Sequence, residues 1–258
     1  MTRTPPHPSV AKADRLRQLH LDPAILSLVN VWDVVSAQAV AALPGTTALA
    51  TASEPIAAAH GYRDGEAIPV ELMLSTVARI CAAVTLPVTA DLEAGYGDVD
   101  RTVRSALAVG AVGANLEDQL RPLPEAVAMM AAAVRAGEAE GVPLVLNART
   151  DTYLYGDPAT MLSEAVERGR AYLDVGADCV FVLGCSDLVA LAALVDALGR
   201  GRVSALWRPG GPTAQQLEQI GVARVSHGPY AQRLLMAELG AAAARVIGGG
   251  ALHETLGG

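Results

Sequence analysis

Short apolar runs recur along the chain: "ILSLVNVW" (25–32), "TALATAS" (47–53), "LPVTAD" (86–91), "GANLE" (113–117), "PLVLNAR" (143–149), "CVFVLG" (179–184), "RVSALWR" (202–208) and "ARVSHG" (223–228). Each is continuously apolar rather than alternating, the pattern of strands covered on both faces. Between them lie amphipathic or alanine-rich stretches near 34–43, 69–83, 99–109, 124–140, 158–175, 186–198, 213–220 and 230–247, which read as helices. Several end in a glycine that leads into the next run, as in "AEGVPLVL" and "DVGADCVF". Glycine takes the left-handed position after a helix without steric cost. Eight strands alternating with eight helices predict a single-domain (β/α)8 TIM-type barrel over 23–248, after a helical segment at 1–22 and before a flexible tail at 249–258. A doubly wound sheet is the alternative; eight units and no early Gly-x-Gly-x-x-Gly speak against it.

Composition narrows the function. The chain is 52% hydrophobic with a mean hydropathy of +0.33, yet no apolar run approaches the roughly 18 residues of a membrane span. The first residues contain no apolar stretch of the kind a secretory signal needs, and three cysteines without zinc-type spacing suit a reducing cytoplasm. A formal charge of −8 without a basic cluster excludes nucleic acid or an anionic membrane as the expected partner. The sole lysine is Lys12, in the N-terminal segment. Schiff-base, pyridoxal phosphate and Walker-type phosphate-loop chemistry all need a lysine in the core, so those classes drop out.

In such a barrel the loops after the strands form the active-site face. The strand ends collect Asn30, Trp32 and Asp33; Thr51, Ser53 and Glu54; Asp91 and Glu93; Glu117 and Asp118; Asn147, Arg149 and Asp151; Cys185; Trp207 and Arg208; and Ser226 and His227. The strand starts are mostly apolar, Gly or Pro. Asp91, Glu93 and Glu117 fall on neighbouring strands, where three carboxylates repel unless protonated or bridged by a cation. Hard oxygens suit Mg2+, with Mn2+ as the alternative, and the lack of a His or Cys set argues against zinc. Asp98 and Asp100 read as helix caps instead. Arg149 offers a bidentate fork for a carboxylate or phosphonate, or else a salt bridge to a strand-four acid. Cys185 reads as a small hydrophobe rather than a nucleophile. His227 is either a general acid or substrate ligand, or a hydrogen-bonded structural residue, and His7, His20 and His253 read as surface residues.

The pieces "NVWDVVSA" (30–37), "ALATAS" leading to "GYRDGE" (61–66), "ADLEAGYGD" (90–98), "GANLED" (113–118), "NARTDTYL" (147–154), "RAYLDVGADCVFV" (170–182) and "GVARVSHGP" (221–229) occur in order and at barrel-strand spacing. By them the chain resembles the isocitrate lyase/phosphoenolpyruvate mutase superfamily over nearly its whole length. The resemblance implies a (β/α)8 barrel whose last helix is exchanged between subunits in dimers or tetramers. It also implies a Mg2+ ion that holds the 2-oxo acid end of a small 2-oxo acid or dicarboxylate. By motif, Asp91 matches the acid nearest the metal, and Glu93 and Glu117 match acids that act through water. Arg149 matches the arginine that grips the substrate's carboxylate or phosphonate, Ser53 the loop that binds its carboxylate, and Asp64 an aspartate near the reacting centre. Trp32, Arg149 and His227 join Ser53 as expected substrate contacts, with Arg149, Asp64 and Glu117 as the expected catalytic groups.

Two departures matter. Lyase members carry after strand four a mobile loop with a Lys-Lys-Cys-Gly-His or Lys-Arg-Cys-Gly-His core, and mutases carry a lysine followed by Asn-Ser. This chain has "EDQLRPLPEAVAMM", with no Lys, Cys or His. In addition, "SEPIA" (53–57) puts Glu54 and Pro55 where small residues and a glycine are usual, which predicts a stiffer, more acidic loop.

Overall fold

The computed structural model of the chain describes residues 8–252; residues 1–7 of the N-terminal segment and 253–258 of the expected tail, with His7 and His253, lie outside the described residues. The strands are β1 (Leu26–Leu28), β2 (Asn30–Val31), β3 (Leu49–Thr51), β4 (Val88–Asp91), β5 (Gly113–Glu117), β6 (Val145–Thr150), β7 (Cys179–Val182), β8 (Val203–Leu206) and β9 (Arg224–Ser226). All pair in parallel, in the order β1-β9-β8-β7-β6-β5-β4-β3-β2. The two ends of that order, β1 and β2, are halves of one apolar run separated only by Val29, so the sheet closes on itself. The expected (β/α)8 barrel is present, its first strand broken so that one half pairs with the last strand and the other with the second.

The helices are α1 (Pro8–Leu21), α2 (Val34–Ala41), α3 (Ser53–Ala59), α4 (Val70–Ala83), α5 (Val99–Ala108), α6 (Leu123–Ala139), α7 (Thr152–Tyr155), α8 (Met161–Asp174), α9 (Leu188–Leu198), α10 (Ala214–Ile220) and α11 (Tyr230–Ile247). Their starts are written in the sequence. Asp33 and Ser36 form a capping box on α2, Thr213 and Gln216 one on α10, and the Asp98 carboxylate accepts from the Arg101 amide at the head of α5. Asp100 sits inside the first turn of α5 and pairs with Arg104 at 2.7 Å instead of capping. The segment expected as a loop, "SEPIA", is the first turn of α3. Strands fully buried along their length pack against helices whose inner faces are alanine, valine and leucine.

α1 closes the N-terminal mouth of the barrel. Arg17 pairs with Asp178 at 2.6 Å and donates to the carbonyls of Pro143 and Leu144, all just ahead of strands β6 and β7. Leu16 enters so far that a Cβ on Gly113 would stand 2.7 Å from it, which leaves glycine as the residue that fits there. His20, expected at the surface, is buried at 1% exposure with Nδ1 at 2.8 Å from the Leu16 carbonyl. Burial and the nearby Arg224 push its pKa down to about 4, so it is a neutral core imidazole.

Candidate active site

At the C-terminal ends of the strands lies a cavity of about 240 Å3, lined among others by Asn30, Ser53, Asp64, Asp91, Asn115 and Arg149. Asp91 ends β4, where the Thr51 hydroxyl accepts its amide at 3.0 Å. Its Oδ2 accepts the Ser53 amide at 3.1 Å, while Oδ1 has no protein donor among the described residues. Arg149, the penultimate residue of β6, faces Glu117 on β5, its register partner. The guanidinium pairs through Nη1 with Glu117 at 2.5 Å and through Nε with Asp151 at 2.7 Å. Its Nη2 has no protein acceptor among the described residues. Of the two readings of Arg149, the salt bridge to the strand-four acid is present, and Nη2 is the donor that the bridge leaves over.

The carboxylates are not equivalent. Glu117 is buried, and burial pushes its pKa up to about 7 against the attraction of Arg149, with Asp151 and Asp91 adding repulsion. Glu93 is likewise pushed up to about 7, first by burial and then by Asp64 and Asp91, although the Tyr96 hydroxyl and the Glu66 amide oppose the rise. Its carboxylate is taken up by those two donors: Glu66 N–H on Oε2 and Tyr96 O–H on Oε1 at 2.8 Å. Among the described residues, no three His, Cys, Asp or Glu side chains converge as a ready-made metal cage. The expected arrangement puts Asp91 nearest the cation, with Glu93 and Glu117 acting through water; here the Glu66 amide and the Tyr96 hydroxyl engage Glu93, and Arg149 engages Glu117. What remains is one carboxylate oxygen of Asp91 on a polar cavity that Asp64 and Glu54 also line. This donor set fits Mg2+, which binds through one or two carboxylates and fills its other positions from water and substrate.

The other expected site residues divide. Ser53 and Asp64 line the cavity. Trp32 does not: it packs with Ile56, Ala57, Ile68 and Met73 in an apolar cluster outside the barrel mouth. His227 also turns away, with Nδ1 at 3.1 Å from the Leu28 carbonyl and its ring 5.6 Å from that of Trp207. Asn30 explains the orientation of its backbone, since Asn30 Oδ1 accepts the amides of both His227 and Gly228. Cys185 is buried with its thiol pushed up to about 11 by burial, the state of a small hydrophobe.

Reading strand ends alone missed Asn115 and Arg233. Asn115 precedes Glu117 by two, so it faces the same way by strand alternation, a signal present in "GANLE". Arg233 comes from α11, lines the cavity and pairs with Glu54 at 2.5 Å, so the unusual acid of "SEPIA" is neutralised by the last helix. The turn from β5 to α6 occupies only residues 118–122. Asp118 anchors it by accepting the Leu120 and Asp151 amides on Oδ1 and the Tyr172 hydroxyl and Arg168 on Oδ2.

Relatives of known sequence agree with this layout. An uncharacterised protein of Mycobacterium tuberculosis is 34% identical over 235 residues, 90% of this chain and 88% of that protein. An oxaloacetate decarboxylase of Bradyrhizobium sp. BTAi1 is 30% identical over 202 residues, 71% of this chain and 68% of that protein. The crystal structure of a phosphonomutase-like protein of Burkholderia cenocepacia J2315 superposes with a TM-score of 0.86 at 39% identity, covering 94% of this chain and all of that one. The family model of phosphoenolpyruvate phosphomutase matches residues 16–247, from the helix that plugs the barrel to the last helix. A closed parallel barrel with Asp91 and Arg149 at its C-terminal face, matched from end to end, thus belongs to the phosphoenolpyruvate phosphomutase family, within the superfamily it forms with the isocitrate lyases.

Proposed function

We propose that the protein is a Mg2+-dependent carbon–carbon lyase or decarboxylase acting on a small 2-oxo acid or dicarboxylate, with decarboxylation of an oxaloacetate-type acid as the leading reaction. The superfamily includes lyases, decarboxylases, hydrolases and phosphonomutases that take small acids, and its members are generally dependent on a divalent metal. The observation that carries the choice is the five-residue turn at 118–122 beside an otherwise complete binding half. Asp91 and Arg149 share a cavity, whereas the turn offers no Lys, Cys or His to shuttle protons.

Asp91 would hold the cation through Oδ1, with its other oxygen fixed by the Ser53 amide. When bound, the ion would draw charge from the 2-oxo group and stabilise the oxygen on which negative charge collects as the carbon–carbon bond breaks. Arg149 Nη2 would receive the substrate's carboxylate, held in plane by Glu117 and Asp151 on its other nitrogens. Asp64 lines the same cavity and would be the group to return a proton to the product carbon. The acid–base demand is small, because the departing carboxylate is already ionised: the carbon–carbon bonding pair passes into the enolate as CO2 leaves, and a single proton is added at carbon afterwards.

A second reading, hydrolysis of a related acid or a phosphonate reaction, draws on the phosphonomutase-like relative at 39% identity. Incubation with Mg2+ and oxaloacetate, isocitrate, methylisocitrate or phosphonopyruvate, following pyruvate, glyoxylate, phosphate and CO2, separates the readings. Turnover of oxaloacetate to pyruvate and CO2, lost in Asp91→Ala, is the expected result. Saturable Mg2+-dependent binding without product would replace the enzyme by a 2-oxo acid binding protein. The three cysteines among the described residues are unpaired, which accords with the cytoplasmic location proposed for such an enzyme.

A further inference from the structure

Beneath the carboxylates the barrel is not filled by apolar side chains alone. Arg224, from β9, is buried at 1% exposure and makes no ion pair among the described residues. Its Nη2 reaches across the barrel to Asn115 Oδ1 on β5, at 3.3 Å. Asn147 Nδ2, from β6, donates to the same oxygen at 2.8 Å. Arg224 Nε and Asn147 Oδ1, by contrast, are buried without a partner. Burial pushes the Arg224 pKa down to about 10, against the attraction of Cys179 and Asp91. A guanidinium kept in a barrel core at this cost is poorly explained by stability, since apolar replacements of buried charges are often neutral or stabilising.

The donor logic assigns the arrangement. Arginine has only donors, so the Asn115 atom it meets is the oxygen. Two donors on Oδ1 forbid the amide flip that an asparagine otherwise has at little cost. Nδ2 is thereby turned the other way. Asn115 lines the cavity between its register partners Asp91 and Asn147, and its Nδ2 has no protein acceptor among the described residues.

We infer that Asn115 is a substrate-binding residue whose Nδ2 donates to a carboxylate or oxo oxygen of the ligand on the cavity floor, and that Arg224, with Asn147, is the positioning residue that locks it in that orientation. The inference rests on the reading above that the cavity takes a 2-oxo acid. An acidic rim needs neutral or cationic donors to receive an anion, and Asn115 supplies one beside Asp91 without adding charge.

The test uses oxalate, a planar dianion shaped like the enolate of pyruvate, titrated calorimetrically into the full chain with Mg2+. Wild type is expected to bind. Asn115→Asp keeps the size and the contact to Arg224 but turns an acceptor toward the ligand, and is expected to weaken oxalate binding about 100-fold. Arg224→Met removes one of the two donors on Asn115 Oδ1 and so loosens the lock on the amide. It is expected to weaken binding roughly tenfold while leaving the thermal midpoint unchanged or higher, a combination that a purely structural role would not produce. Oxalate affinity unchanged in Asn115→Asp overturns the inference while the functional reading stands. Unchanged affinity in a folded Arg224→Met overturns the positioning role. If wild type itself fails to bind oxalate with Mg2+, the functional reading falls and the inference with it.

Discussion

Glu93 has a left-handed backbone, with φ of +50°, and so do the two residues that grip its carboxylate, Glu66 at +60° and Tyr96 at +52°. Glu66 Oε1 also accepts the Tyr96 amide at 2.5 Å, so loop 61–69 is knitted onto the end of β4. Non-glycine residues in this region carry strain that neighbouring contacts must hold in place, and such residues gather at functional sites. With a pKa of about 7 against an ordinary 4.5, the fold favours the neutral form of Glu93. That contribution is full below the unfolded pKa and is lost as pH rises through about 7. Glu93→Gln removes the titration. The variant should therefore gain stability relative to wild type between pH 4.5 and 7, measured in metal-free buffer as the difference in denaturant midpoints. A difference that stays constant across that range would show that Glu93 does not titrate as described. Asp91 and Arg149 were legible in the sequence because a strand-end position in a barrel fixes where a side chain emerges. The engagement of Glu93 was not, since it depends on a loop some 30 residues earlier folding over it. Trp32 misled for a local reason: Asn30 faces the cavity, Val31 faces the helices, and the chain leaves β2 at Trp32 for the apolar cluster against α3 and α4.

At the scale of elements, the continuous apolar runs announced the barrel, and the capping residues placed α2, α5 and α10. The break at Val29 was hidden, because 25–32 is apolar throughout and only the pairing partners, β9 before it and β3 after it, differ. Arg224 was hidden for the opposite reason: inside an apolar run, one polar residue reads as noise until its neighbours across the barrel are known. The absent gating loop was legible, and its replacement is a tight turn in which Gln119 and Leu120 adopt φ of +49° and +52°. Gln119 Nε2 also donates to Glu117 at 3.2 Å, so this turn braces the acid that pairs with Arg149 instead of swinging over the cavity. A braced turn without Lys, Cys or His, its one acid Asp118 taken up by four donors, should not support cleavage of isocitrate or methylisocitrate. Glyoxylate release in a coupled assay should stay at the level of the Asp91→Ala variant, and robust release would show that a proton donor outside residues 118–122 serves the lyase reaction.

For the molecule as a whole, α11 is the element that the barrel does not account for. None of its residues is buried, and Leu234, Leu235, Met236 and Leu239 are each more than half exposed. Among the described residues no helix is long and apolar enough to cross a membrane, so this face is not a span. An apolar strip of this kind marks a contact with another protein surface, and we propose, from the exchange of the last helix that the resemblance implies, that its partner is a second copy of the chain. The start of the same helix reaches the site. Gln232 Nε2 donates to the Pro55 carbonyl at 2.9 Å, Arg233 pairs with Glu54, and Tyr230 lines the cavity. Assembly and site geometry would then be coupled through one helix. Leu235 and Leu239 lie one turn apart on one face, so Leu235→Glu with Leu239→Glu places two charges in the proposed interface. Sedimentation should give a wild-type mass at least twice the 26.5 kDa of one chain, and a single-chain mass for the double variant. Because Arg233 and Tyr230 lose the support of a docked helix, the monomeric variant should also show a raised KM for oxaloacetate. A wild-type protein that sediments as a monomer would refute the exchange, and an unchanged KM in a monomeric variant would confine α11 to assembly alone.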